Sequence, residues 1–170
     1  MNDDSFMREA LREAAKAAKK KEAPIGAVAV RDCKVLARAH NLRESKNDPL
    51  GHAELYLLSK VSRKLKSWRM IGVTVYVTLE PCLMCMGALI QARVPRLVFG
   101  AMDPKAGACG SLYDLSKDMR LNHRIDVVSG VLSKECGEVL TRFFRALRLA
   151  PRDASAASPR SARTSRSVRT

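Results

Sequence analysis

The chain has 170 residues, the size of one domain, and 46% of them are hydrophobic, enough for a packed core and too many for global disorder. Charged residues interrupt every apolar stretch, so none reaches the roughly 20 residues of a bilayer-spanning helix, and residues 1–10 lack the apolar stretch of a secretion signal; a cytoplasmic protein is expected. Lys and Arg outnumber Asp and Glu by 31 to 17, giving a net charge of +14, a field that attracts polyanions and points to nucleic acid first, with an acidic membrane surface or a merely solubilising charge as alternatives.

Residues 8–21 are rich in Ala, Lys, Arg and Glu and read as an amphipathic helix ended by Pro24. The apolar run 25–30 reads as a buried strand, 31–34 as a turn and 35–40 as a second strand. A polar loop follows over 41–50. Leu55, Leu58, Val61 and Leu65 then recur at helical spacing through 52–64. The β-branched run 73–79 is strand-like, and Pro81 suits the first turn of a helix running to about residue 93. Strands are expected over 96–100 and 125–129, separated by a Gly-containing loop over 101–110, and a closing helix over 134–149. A hairpin followed by strands alternating with helices predicts an α/β fold, a three-layer α/β/α sandwich around a five-stranded mixed sheet. The folded domain is expected over 1–150. Residues 151–170 hold five Arg and five Ser with Val168 as the only large apolar side chain, a composition that predicts a disordered basic tail.

The cysteines number five: Cys33, Cys82, Cys85, Cys109 and Cys136. An odd count without a secretion signal argues against a disulfide framework and leaves metal ligation or simple burial. Two short segments carry the chemistry, His52-Ala53-Glu54 and Pro81-Cys82-Leu83-Met84-Cys85, each at a predicted helix start. On a helix Cys82 and Cys85 share one face, and the positive end of the helix dipole favours their thiolates. With His52 they make a three-ligand zinc set, which keeps a fourth position for water and lowers the pKa of that water toward about 7. Glu54 follows the histidine closely enough to move protons without being a ligand. Taken singly the pieces are weak. H-x-E occurs by chance, and C-x-x-C also serves redox dithiols or closed structural zinc sites, for which Cys33, Cys109 or Cys136 would offer a fourth ligand.

Together, H-x-E, an intervening strand and P-C-x-x-C form the nucleobase deaminase signature, and the sequence resembles the bacterial tRNA-specific adenosine deaminases from about Met7 to Leu147. The resemblance includes Ala23-Pro24-Ile25-Gly26-Ala27-Val28, His40-Asn41, Asn47-Asp48-Pro49 and Thr78-Leu79-Glu80 before the cysteines. It continues through Val98-Phe99-Gly100-Ala101, Asp103-Pro104-Lys105, Gly110-Ser111-Leu112, Asn122-His123-Arg124 and Phe143-Phe144-Arg145. It implies a cytidine deaminase-like fold, one zinc ion per subunit, a homodimer, and conversion of a wobble adenosine to inosine in the tRNA anticodon stem-loop. It further implies that Asn41 contacts the flipped adenine, that Asp103 and Lys105 contact RNA ribose and phosphate, and that Phe143, Phe144 and Arg145 help cradle the anticodon loop. Adjacent helical residues point in different directions, so one of the two phenylalanines is expected in the core. His40 and His123 read as structural histidines. Gly51 replaces the usual alanine of the family, which predicts a looser approach to His52. The basic tail lies outside the resemblance and suits non-specific attraction of RNA. A free-base or nucleotide deaminase acting on guanine, cytosine or dCMP is the competing function, and a non-catalytic RNA-binding module with structural zinc is the third.

Overall fold

A computed structural model describes residues 2–150; the segment 151–170, expected to be a disordered tail, lies outside the described residues. The chain order is α1 (Asp3–Lys19), β1 (Gly26–Arg31), β2 (Lys34–His40), α2 (Ala53–Leu65), β3 (Thr74–Leu79), α3 (Leu83–Gln91), β4 (Arg96–Ala101), β5 (Asp126–Val128) and α4 (Ser133–Leu149). The first helix begins at Asp3 rather than at residue 8. The Asn2 side chain accepts the Ser5 N–H at 3.2 Å, and Asp3 and Asp4 sit in the first turn where the helix dipole favours negative charge. Phe6 and Met7 on this early turn are buried, so tertiary packing sets the start.

The strands form one five-stranded sheet in the order β2-β1-β3-β4-β5. β1 runs antiparallel to β2 and β3, whereas β3, β4 and β5 are mutually parallel. β1 reads as an unbroken apolar run because both faces are covered. Ala27 and Ala29 pack with Leu57, Val61, Met86 and Leu89 in the larger core beneath α2 and α3. Val28 and Val30 face the other way and meet Phe6, Met7, Ala10, Tyr76 and Cys136 in the smaller core beneath α1 and α4. The three-layer sandwich around a mixed sheet, expected from the alternation of elements, is the fold observed.

Backbone proximity is tight where α1 crosses β1. A Cβ on Gly26 would overlap the Ala10 carbonyl oxygen and the Ala14 amide nitrogen, so only glycine admits this crossing. The same layer is clamped electrostatically. Arg96 at the start of β4 donates to Asp3 through Nη2 at 2.7 Å and Nη1 at 3.0 Å, and the Tyr76 hydroxyl donates to Asp3 at 2.8 Å. The Arg96 guanidinium holds the Asp3 carboxyl below its ordinary range, while burial and the Asp3 charge push Tyr76 up to about 12. No helix among the described residues is long and apolar enough to cross a membrane.

A carboxyl whose pKa is lower in the folded chain stabilises fully above its unfolded value near about 3.9 and loses that contribution as pH falls through the folded value. Asp3→Asn is therefore expected to cost about 1 kcal/mol at pH 7, the scale of a partly exposed ion pair. Urea denaturation at pH 7 and pH 3 checks this: the difference between wild type and variant shrinks at the lower pH, and a constant difference rejects the assignment.

Candidate active site and metal centre

The chain gathers its chemistry at one end of the sheet, where β2 and the parallel strands β3 and β4 finish and β1 begins. Crevices outside the carboxyl ends of parallel strands are the usual ligand sites of open α/β sheets. Two helices start there. His52 is the N-cap residue of α2, and Cys82 is the N-cap residue of α3, both with extended backbone. Pro81 therefore stands before the helix rather than in its first turn, and Cys82 flanks the helix while Cys85 lies within it.

The His52 Nδ1 lies 3.4 Å from the Cys85 sulfur and 3.7 Å from the Cys82 sulfur. All three donor atoms lie within 4.8 Å of one another. Zinc bonded tetrahedrally to sulfur at about 2.3 Å and nitrogen at about 2.0 Å sets the S···N separation at about 3.5 Å. The observed distances bracket that value, and two soft sulfurs with one imidazole suit zinc, so the residues fit the ion. Among the described residues this is the one His/Cys/Asp/Glu group arranged for a metal. Cys136 packs on the opposite face of the sheet, Cys33 is exposed in the β1–β2 turn, and Cys109 stands outside the group. No fourth cysteine closes the site, which separates it from a closed structural zinc centre.

Electrostatics distinguish the groups. Cys82, half-buried, is pushed down to about 4 by its hydrogen bond with Cys85 and by His52. Cys85 is pushed up by its bond to Cys82 and by burial, and His52 is raised by the Cys82 contact. Glu54 is buried in the first turn of α2, and its burial raises its pKa. It lines a small cavity of about 90 Å³ together with Asn41, His52, Cys82, Leu79 and Asp103.

The chain matches the family model described as MafB19-like deaminase over residues 1–148. It is 51% identical over 146 residues to the tRNA-specific adenosine deaminase of Bacillus subtilis, covering 86% of this chain and 91% of that protein. The chain belongs to the tRNA-specific adenosine deaminase family. A solved structure from work on A-to-I editing by tRNA:A34 deaminases at the wobble position is 42% identical, with a TM-score of 0.77, covering 80% of this chain and 99% of that one. A guanine deaminase from Bacillus subtilis is more distant, 26% identical with a TM-score of 0.59, covering 90% of this chain and 98% of that one.

In this deaminase Asn41 is buried at the end of β2 and faces the inner cavity. Asp103 lines the same cavity, and its side chain accepts the Lys105 amide at 3.0 Å and the Ala106 amide at 3.3 Å, an Asx turn that shapes the loop. Lys105 is exposed and lines an outer groove of about 600 Å³ with Met102, Phe144 and Arg148. The expectation that one phenylalanine of α4 enters the core is corrected: Phe143 is half-buried and Phe144 exposed. Their rings meet edge-on at 5.3 Å, and both line a second groove of about 480 Å³ with Asn41, Arg43, His52 and Lys21. α4 packs on the sheet near its start through Cys136, and none of its later residues is buried, so neighbouring positions there flank one groove instead of dividing between core and solvent. Arg145 is exposed on α4 and lines neither groove. His40 pairs with Glu13 at 3.1 Å, and His123 lies 2.7 Å from the Val94 carbonyl, both away from the metal cluster.

Gly51 does not loosen the entry to His52. It is buried, its carbonyl accepts Leu42 N–H at 2.9 Å, and its N–H reaches Asp48 at 2.9 Å. A Cβ here would lie 2.7 Å from Arg43 Cα, so the missing side chain lets two backbones touch.

Sequence reasoning assigned no role to Glu80 or Glu22, because a glutamate beside a turn ordinarily reads as solvated. Glu80 is buried and accepts the amides of Asp103 at 2.9 Å, Cys109 at 2.9 Å and Ser111 at 3.0 Å, together with the Ser111 hydroxyl. Burial opposes its charge, but these donors outweigh burial and lower its pKa. The loop over 103–111 is thus tied to the residue preceding Pro81. Glu80→Gln replaces an acceptor with a donor facing amide hydrogens and is expected to cost about 1–3 kcal/mol. Urea denaturation of the variant measures it, and an unchanged midpoint contradicts the anchoring role.

Proposed function

We propose that this deaminase converts adenosine to inosine at the wobble position of a tRNA anticodon stem-loop. His52, Cys82 and Cys85 hold one zinc ion per subunit, and Glu54 carries the protons. The observation that supports this reading best is the pairing of a small cavity, lined by Glu54, His52 and Cys82, with outer grooves lined by Lys21, Arg43, Lys105, Arg148 and the two α4 phenylalanines. Cations match phosphates and aromatic rings stack on unpaired bases, the usual chemistry of single-stranded RNA recognition.

The reaction adds water to the C6 carbon of adenine and expels ammonia, leaving the C6 carbonyl of inosine. When bound, zinc supplies Lewis-acid activation of the attacking water. Glu54 accepts one proton from that water and passes it to the ring nitrogen beside C6. It then takes the proton of the hydroxyl added at C6 as the carbonyl forms and gives it to the amine as the C–N bond breaks and ammonia leaves. Burial suits this cycle, since a carboxyl raised from its ordinary pKa holds a proton long enough to deliver it. Asn41 contacts the base from the end of β2. Asp103 and Lys105 meet ribose and phosphate from the loop after β4, and Phe143, Phe144 and Arg145 form the α4 side of the anticodon-loop cradle. The enzyme works in the cytoplasm. The folded domain over 1–150 carries the activity, and the basic segment after it adds non-specific attraction for RNA.

The active species is a homodimer that uses the face of α3. Leu83 at the start of α3 is 46% exposed and provides apolar surface for a second copy, and Leu112 and Tyr113 in the loop after β4, at 53% and 54%, provide more. Light scattering at micromolar concentration is expected to give the mass of two chains, and a monomer alone rejects the assembly.

Glu54→Ala is expected to lower the rate of inosine formation on a stem-loop oligonucleotide by about 10²–10⁴-fold, the range for loss of a positioned acid–base group. Metal content measured alongside stays near one zinc per chain, while Cys85→Ser loses most of it. Full activity in the Glu54 variant removes the assigned mechanism. Wild-type protein that prefers free guanine, cytosine or dCMP to the oligonucleotide establishes the competing small-substrate reading.

A further inference from the structure

Glu22 is the buried acid that the reaction leaves unused. It stands just after α1, its side chain has no exposed surface, and its neighbours Lys19, Lys20 and Lys21 make the segment look like an ordinary solvated helix end. Its carboxylate instead points inward. Oε1 accepts the Ser45 amide at 2.7 Å, and Oε2 accepts the Glu44 amide at 3.1 Å and the Asn41 Nδ2 at 3.2 Å. Burial works against its charge, and the amides of Ser45 and Glu44 outweigh burial to keep its pKa below the ordinary range. An ionised carboxylate can only accept hydrogen bonds. Asn41 must therefore turn its nitrogen, not its oxygen, toward Glu22.

That requirement settles which edge of the Asn41 amide meets the cavity. One N–H is spent on Glu22, and the second N–H and Oδ1 are left for whatever enters beside Glu54 and His52. Rotating the amide by half a turn would set an oxygen against a carboxylate, so the alternative orientation is excluded by repulsion. The same carboxylate fastens the turn at Glu44 and Ser45. One acid thus sets both the direction of the base-facing amide and the loop that carries it.

We infer that Glu22 is a positioning residue for base recognition: it locks the orientation of the Asn41 side-chain amide and pins the loop behind it, without touching the substrate. This rests on the reading of Asn41 as a base contact.

The test is a double-mutant cycle with Glu22→Gln and Asn41→Ala on an anticodon stem-loop oligonucleotide. It reads kcat and KM separately, beside hydrogen exchange at the Asn41 side-chain amide measured by NMR. A residue that orients the base acts on kcat, whereas RNA affinity is carried by phosphate contacts elsewhere. Glu22→Gln is expected to lower kcat about tenfold while KM changes by less than about threefold. Asn41→Ala lowers kcat at least as far, and the double variant matches Asn41→Ala within about twofold, because two residues acting through one contact do not add. The Asn41 amide protons of the wild-type protein exchange slowly, and those of Glu22→Gln as fast as exposed asparagines. Additive losses overturn the proposal, as does a wild-type Asn41 amide that exchanges freely, a result that requires no variant to fold. Full activity in Asn41→Ala removes the base contact and this inference with it while leaving deamination intact. A wild-type protein that makes no inosine removes the proposed function instead, and the exchange measurement then decides alone whether Glu22 holds Asn41.

Discussion

The whole site depends on the N-termini of α2 and α3 meeting at one end of the sheet. His52 and Cys82 are both cap residues in extended conformation, and their donor atoms lie 3.7 Å apart although thirty residues of chain separate them. That meeting needs β3 to run beside β1, so that the turn after Leu79 delivers Cys82 to the end of the sheet where β2 releases the loop leading to His52. A helix start offers unpaired amides and the positive end of its dipole. Two of them aimed at one point suit a single thiolate, and Cys82, pushed down to about 4 by its hydrogen bond with Cys85 and by His52, is the one placed to carry that charge.

Three buried glutamates surround this point, and their surroundings divide their roles. Glu22 and Glu80 are each filled with amide donors, which lower their pKa and make them fixed anions that organise loops. Gly107 belongs to the Glu80 arrangement, since a Cβ there would strike the carboxylate itself. Glu54 is different because burial dominates and raises its pKa. An acid saturated with donors cannot easily take a proton, whereas one whose burial outweighs its few donors can. Chemically similar side chains thereby act as fixed clamps in two cases, while the third keeps the raised pKa that the proposed proton transfer calls for.

The layer architecture was legible because both cores follow simple periodicities. β1 and β4 show unbroken apolar runs, and α2 repeats apolar residues at helical spacing, so element type and order could be read directly. The His52, Cys82 and Cys85 cluster was legible for another reason: short-range spacing within H-x-E and C-x-x-C survives any error in helix ends. Misreadings arose where tertiary contact decides. The start of α1 is set by Phe6 and Met7 docking on Val28 and Tyr76, which local composition does not record. Adjacent helical residues divide between core and surface only where the helix packs against an interior, and Phe143 and Phe144 lie past the point where α4 does so. Gly51 read as slack, but it is the place where the backbone at Arg43 presses against the chain before His52. Glu22 gave no local signal at all, because its partners lie some twenty residues onward and its neighbours are lysines.

The distribution of charge bears on the kind of substrate the site can accept. A net charge of +14 alone would attract any polyanion, with no preference for one place on the surface. Around this cavity the cations come from separate elements: Lys21 after α1, Arg43 in the loop after β2, Lys105 after β4 and Arg148 in α4. Such a ring can hold phosphates on several sides of one opening, while the cavity within is only about 90 Å³ and ends on Glu54 and the ligand cluster. A paired base cannot reach those groups, because its Watson–Crick edge is covered and its neighbours stay stacked. A base in a tight loop is already partly unstacked, and the ribose and phosphates on either side can rest on the rim while the ring alone goes in. On the proposed reading backbone contacts supply affinity and the buried amide of Asn41 supplies orientation, a division of labour that a free nucleobase, having no backbone, could not use.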